Sequence, residues 1–290
     1  VRRSIGLPLL LAGALALPVL LGTAYALLAS LGLQGAGATG TLSLARWEAV
    51  LGARSTWLAL GWSIAVAATA TLLATVGAIV IAGAFPSSRL LDRSARALAT
   101  LPLPVPHLVA AATALLVLGQ SGLLARLGAA LGLIASPAQM PALVYDRFGV
   151  GLMLTLAWKE LPFLGVVAIA LRQTLGDRYD EAAAVLGANA RTRWRLITWP
   201  LLWRGLLPAV IAVFVFAVGS YETAVLLAPV SPAPLPVLTM ERFADPALAR
   251  RADAYVLALL ALGVAVLSVV AHEWARARVQ ARGAAAPVRP

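Results

Sequence analysis

Six apolar stretches, each near the twenty residues that a helix needs to cross a bilayer, constrain this chain more than any other feature. They run at about 5–31, 57–85, 99–118, 148–171, 203–227 and 254–271. In lipid every backbone N–H and C=O must be satisfied internally, so such runs fold as helices. The composition agrees: 61% of the 290 residues are hydrophobic and only 12% are charged, about half the charged share of a soluble domain. The expected fold class is all-α, a polytopic membrane protein with six transmembrane helices, built as a single domain over residues 1–290. Residues 277–290 are expected to be a disordered tail.

Several function classes fall away. The net charge of +11 suggests nucleic acid, but the arginines flank apolar runs and form no basic strip with stacking aromatics. Without Cys there are no disulfides, thiolate metal sites or Cys nucleophiles. With only His107 and His272, no His-based metal site is expected, and no cofactor. Lys159, the one lysine, follows Trp158 and precedes Glu160, so the chain has no P-loop. If transport is ATP-driven, another polypeptide binds the nucleotide.

The first run follows Arg2-Arg3 and is well beyond the length of a signal-peptide core, so a retained helix is expected. Residues 34–56 can hold a short interfacial helix. The second run carries Ser63, Ala67, Ala70, Ala74, Gly77 and Gly83, small residues that let helices approach closely. The third opens on Pro102, Pro104 and Pro106, which cannot sit inside a regular helix. It is expected to become regular after Pro106, where His107 falls as a satisfied polar group. Lys159, Glu160 and Glu222 lie within apolar runs, at about 2.5–3.5 kcal/mol each on insertion scales. Neighbours on a helix point about 100° apart, so Lys159 and Glu160 are not expected to face one wall. Two readings stay open: structural ion pairing between spans, for instance Lys159 with Glu222, or lining of a translocation path. The segment 235–253 carries paired charges and is either a docking surface or a solvated loop.

Between the fourth and fifth runs lies a polar island, DEAAAVLGANARTRWRLITWP, from Asp180 to Pro200. Asp177 can cap a short helix, and Asp180 and Glu181 fall in its first turns, where negative charge suits the dipole. Tyr179, Ala182, Ala183 and Leu186 share one face, and Glu181, Val185 and Ala188 another. Gly187 or Asn189 can take the left-handed conformation that stops a helix. A helix of about ten residues is too short to stand alone in water, so it must dock. The spacing leaves open a partner protein or lipid headgroups, the latter with Trp194, Trp199, Arg191, Arg193 and Arg195 as anchors.

The island resembles the EAA loop of the permease subunits of binding-protein-dependent ABC importers: E-A-A, three residues, G, nine residues, I, one residue, L-P. Glu181, Ala182, Ala183, Gly187, Ile197 and Pro200 hold that register, with Trp199 where the family usually has Leu. The proline-led third run and the segment 219–223 are also similar to this family. The resemblance is weaker to its thiamine, spermidine/putrescine, iron and sulfate group. It implies a cytoplasmic coupling helix within 177–200, in which Asp180, Glu181, Val185 and Gly187 dock on an ATPase. It implies two cytoplasmic ABC ATPase subunits, a second copy or sister permease, and an extracytoplasmic substrate-binding protein. Besides Lys159, Glu160 and Glu222, it adds Ser220 and Tyr221 as candidates for the path.

Counting arginines sets the orientation independently. Fifteen fall on the side of the termini and the island, against seven (Arg46, Arg54, Arg126, Arg147, Arg242, Arg250 and Arg251) opposite. Positive charge favours the cytoplasm, so both termini and the island are expected there, in a bacterial inner membrane. The competing reading is a six-span secondary transporter or channel not driven by ATP. It gives no reason for the EAA spacing.

Overall fold

The apolar runs form helices because nothing else satisfies their backbone in lipid. The structure, a computed structural model, describes residues 6–35, 37–84, 100–175 and 178–284. Arg2, Arg3, Arg89, Arg93, Arg96, Asp177 and Arg289 lie outside the described residues. Among the described residues the chain is helical, without strands. The elements are α1 (Gly6–Ser30), α2 (Ala45–Gly52), α3 (Arg54–Ala84), α4 (His107–Leu118), α5 (Leu123–Ala130), α6 (Val150–Leu175), α7 (Arg178–Val185) and α8 (Ala190–Arg193). A π-helical turn, Trp194–Thr198, joins α8 to α9 (Trp199–Val218), followed by α10 (Tyr221–Leu227), α11 (Leu235–Phe243), α12 (Leu248–Arg251) and α13 (Asp253–Ala284). Among the described residues six stretches are helical, long and apolar enough to cross a membrane: Leu10–Ser30, Arg54–Ala82, His107–Ala130, Val150–Thr174, Ala190–Val218 and Leu248–Arg278. α2 is the short helix expected within 34–56.

The third run becomes regular where the sequence reading puts it, and two other boundaries differ. Regular helix in the third run begins at His107, because residues 100–106 turn on Leu103 N–H to Thr100 and Val105 N–H to Pro102 carbonyls. The fifth run does not stay helical to 227: α9 stops at Val218, with Gly219 as its C-cap and Ser220 before α10. The tail expected to be disordered from 277 is helical to Ala284. Strong helix formers continue there, and the Arg278 guanidinium lies 3.3 Å from the centre of the Trp274 ring.

The chain packs as two units, 1–61 with 233–266, and 62–232 with 267–290. In the first, Val50, Ala59, Leu235, Leu238, Val256 and Leu257 form a buried core. Trp47 Nε1 donates to Ser30 Oγ at 3.1 Å, and Arg46 donates to the carbonyls of Ala29, at 2.9 Å, and Gly37. In the second, Ala74, Ala78 and Ala82 of α3 meet Leu164 and Ala168 of α6 and Leu202, Leu206 and Val213 of α9. The small residues of the second run bring these helices close. A Cβ on Gly77 would stand 2.5 Å from Leu161 Cδ1.

Candidate functional site

The island begins with α7, which holds Asp180, Glu181, Ala182, Ala183 and Val185. Gly187 takes φ +82°. Its N–H donates to the Ala184 carbonyl at 2.9 Å, and the Ala188 N–H donates to the Ala183 carbonyl at 2.9 Å. This pair of bonds is the Schellman stop, which satisfies two carbonyls that the helix end leaves free. Two residues on, the Asn189 side chain accepts from the Thr192 N–H at 2.9 Å and caps α8. Helix stop and helix start thus share four residues, and the chain reverses sharply between them.

The helix faces expected from the spacing are only partly covered. Ala183 and Ala188 are half-buried, while Tyr179, Glu181 and Ala182 are exposed. Val185 and Leu186 are 88% and 86% exposed. Two large aliphatics at the tip of a polar segment are a surface that wants a cover. Below the tip the segment is anchored. Trp194 packs against the α3–α6–α9 core, Arg172 stacks over its ring at 5.9 Å, and the same guanidinium donates to the Ala82 carbonyl at 3.1 Å. Arg193 donates to the Ala188 carbonyl at 2.9 Å. Ile197 is half-buried in the π turn. Pro200 sits in the first turn of α9, directly after the π-helical turn. The segment is thus tied to the core of the second unit through Trp194 and Arg172, and it leaves Val185 and Leu186 exposed.

The intramembrane charges are arranged differently from the sequence expectation. Lys159 and Glu222 do not pair. Lys159 is 6% exposed and its Nζ donates to the Leu103 carbonyl at 3.2 Å. Glu160 Oε1 lies 2.9 Å from His107 Nε2, with side chains 13% and 28% exposed. Phe216 of α9 packs on the His107 ring, centroids 4.7 Å apart. Lys159 and Glu160, expected to face different walls, thus both reach the segment 103–107. The 100° between them is offset because the two contact points, the Leu103 carbonyl and the His107 ring, lie four residues apart. Together they hold the start of α4 against α6. Irregular backbone within an apolar bundle leaves carbonyls free, and the lysine satisfies one. Glu222 is exposed and, among the described residues, makes no ion pair. It stands beside Tyr221, 37% exposed, in the first turn of α10. Ser220 turns inward, 8% exposed, its Oγ 3.1 Å from Thr223 Oγ1.

Sequence reasoning misses His107 as the partner of Glu160 and supports only a satisfied polar group there. The partners stand 53 residues apart, and no local pattern links them. The signal that was available is chemical: an intramembrane carboxylate needs a donor, and the chain has few.

Among the described residues six helices are long and apolar enough to cross a membrane, and with the capped polar segment between two of them they define a polytopic integral membrane protein. No protein-family model matches the chain. It is 30% identical over 223 residues to the thiamine transport system permease protein ThiP of Brucella abortus, covering 74% of this chain and 38% of that one. It is 30% identical over 177 residues to the molybdenum transport system permease protein ModB of Mycobacterium tuberculosis, covering 61% and 63%. The chain thus spans less than two thirds of the length of these relatives. A bacterial alginate ABC transporter, crystallised with an alginate pentasaccharide-bound periplasmic protein, has the same fold, with TM-score 0.73 at 14% identity, over 93% of this chain and 94% of that one. By these likenesses the chain is a relative of the permease proteins of ABC transport systems, and it is a multi-pass protein of the bacterial inner membrane.

Proposed function

We propose that the chain acts as one permease domain, forms half of a translocation path, and couples solute uptake to ATP hydrolysis by a separate subunit. The carrying observation is the exposed pair Val185 and Leu186 on a helix stopped by Gly187. In this reading Asp180, Glu181, Ala182, Ala183 and Val185 present the face that an ATPase groove accepts, and Glu181 meets a basic or hydrogen-bonding group there. Ile197 and Pro200 tie that face to α9. Arg172 and Trp194 carry its movement to α3 and α6. Both termini and the island face the cytoplasm, by the arginine count. Two ABC ATPase subunits, a second permease half (a copy or a sister chain) and an extracytoplasmic binding protein complete the assembly.

For the path itself we assign Glu222 and Tyr221, which the single chain leaves exposed, with Ser220 shaping the break before them. Lys159 and Glu160 hold the 103–107 segment that borders it. The relatives' names carry different cargoes, thiamine and molybdenum, and selection is left to the binding protein. The test is uptake by proteoliposomes holding the chain with its genomic neighbour ATPase and binding protein. Glu181→Lys should abolish ATP-dependent uptake and ATPase co-purification while membrane insertion is unchanged. Full-rate uptake without any ATPase would sink this reading and favour an ATP-independent transporter.

A further inference from the structure

We infer that the binding protein seats an aspartate or glutamate side chain in a cavity at the outward end of the second unit, against the guanidinium group of Arg126. The inference rests on the importer reading above and names where its extracytoplasmic partner is held. The cavity, about 520 Å³, lies where α4 gives way to α5, and Gln120, Ser121, Arg126, Val144 and Tyr145 are among its walls. Arg126 is its one charged wall residue. The Arg126 Nε donates to the Ser121 carbonyl at 3.2 Å, which steadies the guanidinium plane. Among the described residues Arg126 makes no ion pair. Its two terminal nitrogens are therefore open to a carboxylate, which a guanidinium meets with paired hydrogen bonds.

Charge and place select the occupant. The connections at this end of the unit, 119–149 and 228–232, carry three charged residues, Arg126, Asp146 and Arg147. Asp146 commits both oxygens within the chain, to the Phe148 and Val150 N–H groups at 3.0 and 2.9 Å. Arg147 stacks over the Phe148 ring at 5.1 Å. The charge left to meet a partner is therefore positive, and it complements an acidic one. Tyr145 ties the cavity to the helix that bears the proposed path residues. Its N–H donates at 3.0 Å to the carbonyl of Leu227, the last residue of α10, and α10 begins with Tyr221 and Glu222, about 10 Å away by helical rise. Tyr145 is also the one non-glycine residue with positive φ, +60°, among the described residues, and such outliers cluster at binding sites. A protein held on Arg126 thus stands at the outer end of that helix, where a delivered solute has to enter. A lipid headgroup gains no advantage from that position.

The test uses the whole chain with its genomic neighbour ATPase in phosphatidylcholine nanodiscs, titrated with the neighbouring binding protein. Affinity, binding-protein-stimulated ATP hydrolysis, basal hydrolysis and melting temperature are read together. Arg126→Glu should weaken the affinity by at least about tenfold and remove the stimulation, while ATPase co-purification and basal hydrolysis stay unchanged. Arg126→Lys should keep part of the affinity. Ser121→Trp, which fills the cavity without touching its charge, should weaken binding as well, whereas Arg147→Gln, outside the cavity, should leave it unchanged. An acid-to-arginine change at one position of the binding protein should restore binding to the Arg126→Glu chain. Undiminished affinity with Arg126→Glu or Ser121→Trp would overturn the inference and leave the importer reading standing. So would stabilisation by phosphatidylglycerol over phosphatidylcholine that depends on Arg126, which would assign the cavity to a lipid headgroup. An ATPase that fails to co-purify with the unaltered chain would remove the importer reading, and this inference with it.

Discussion

Replacing Gly187 separates what that residue does for the chain from what it does for a partner. Its φ of +82° lies in the left-handed region, and no atom stands within 4 Å of where a Cβ would be. The cost of Gly187→Ala within this chain is therefore conformational alone, about 1–2 kcal/mol for an L-residue held left-handed. That cost falls on the two bonds to the Ala183 and Ala184 carbonyls, so the reversal between α7 and α8 opens while the bundle core is untouched. If docking needs the closed reversal, apparent affinity for the ATPase falls with the closed fraction, by roughly tenfold for ~1.4 kcal/mol. Asn tolerates the left-handed region, so Gly187→Asn should recover most of the loss. Gly187→Leu should match Ala in the free chain but fall well below it in ATPase binding if the partner's backbone comes close. Pull-down titration of the ATPase, alongside the melting temperature of the purified chain, reads both effects. Equal impairment by Asn, Ala and Leu would refute the backbone reasoning, and normal binding by all three would remove Gly187 from coupling.

Lys159→Met should destabilise the bundle by about 0.5–1.5 kcal/mol because it removes the hydrogen bond to the Leu103 carbonyl, with Lys159→Arg partly restoring it in detergent melting curves. His107→Leu alone should cost about 1–3 kcal/mol by leaving the half-buried Glu160 carboxyl without its hydrogen-bond partner. His107→Leu with Glu160→Leu should recover much of that, and the double-mutant cycle measures the coupling. Gly77→Leu should cost about 1–3 kcal/mol or more by overpacking against Leu161, whereas Gly61→Leu, which meets nothing within 4 Å, should be near neutral by the same melting assay. Gly149→Ala combines φ +73° with a Cβ 2.7 Å from the Trp62 ring, so it should lower the melting temperature more than Gly187→Ala does.

What the amino-acid order by itself determined is what neighbours along the chain decide. The six apolar runs, the late start of the third helix behind Pro102, Pro104 and Pro106, and the stop at Gly187 follow from helix geometry and backbone freedom within a few residues. The EAA register was legible for the same reason, since its spacing is local. The tertiary structure alone decided which buried charge meets which partner. Lys159 found a carbonyl, a group every residue carries, so no residue type announced it. Glu160 found His107 from 53 positions away, and Arg172 reached the Ala82 carbonyl and the Trp194 ring at once. The break at Gly219 and Ser220 within an apolar run was also hidden, because hydropathy measures the cost of facing water and not the path of the backbone. Helices are written in short-range periodicity, whereas the pairings that hold charges in lipid arise only once distant helices have packed.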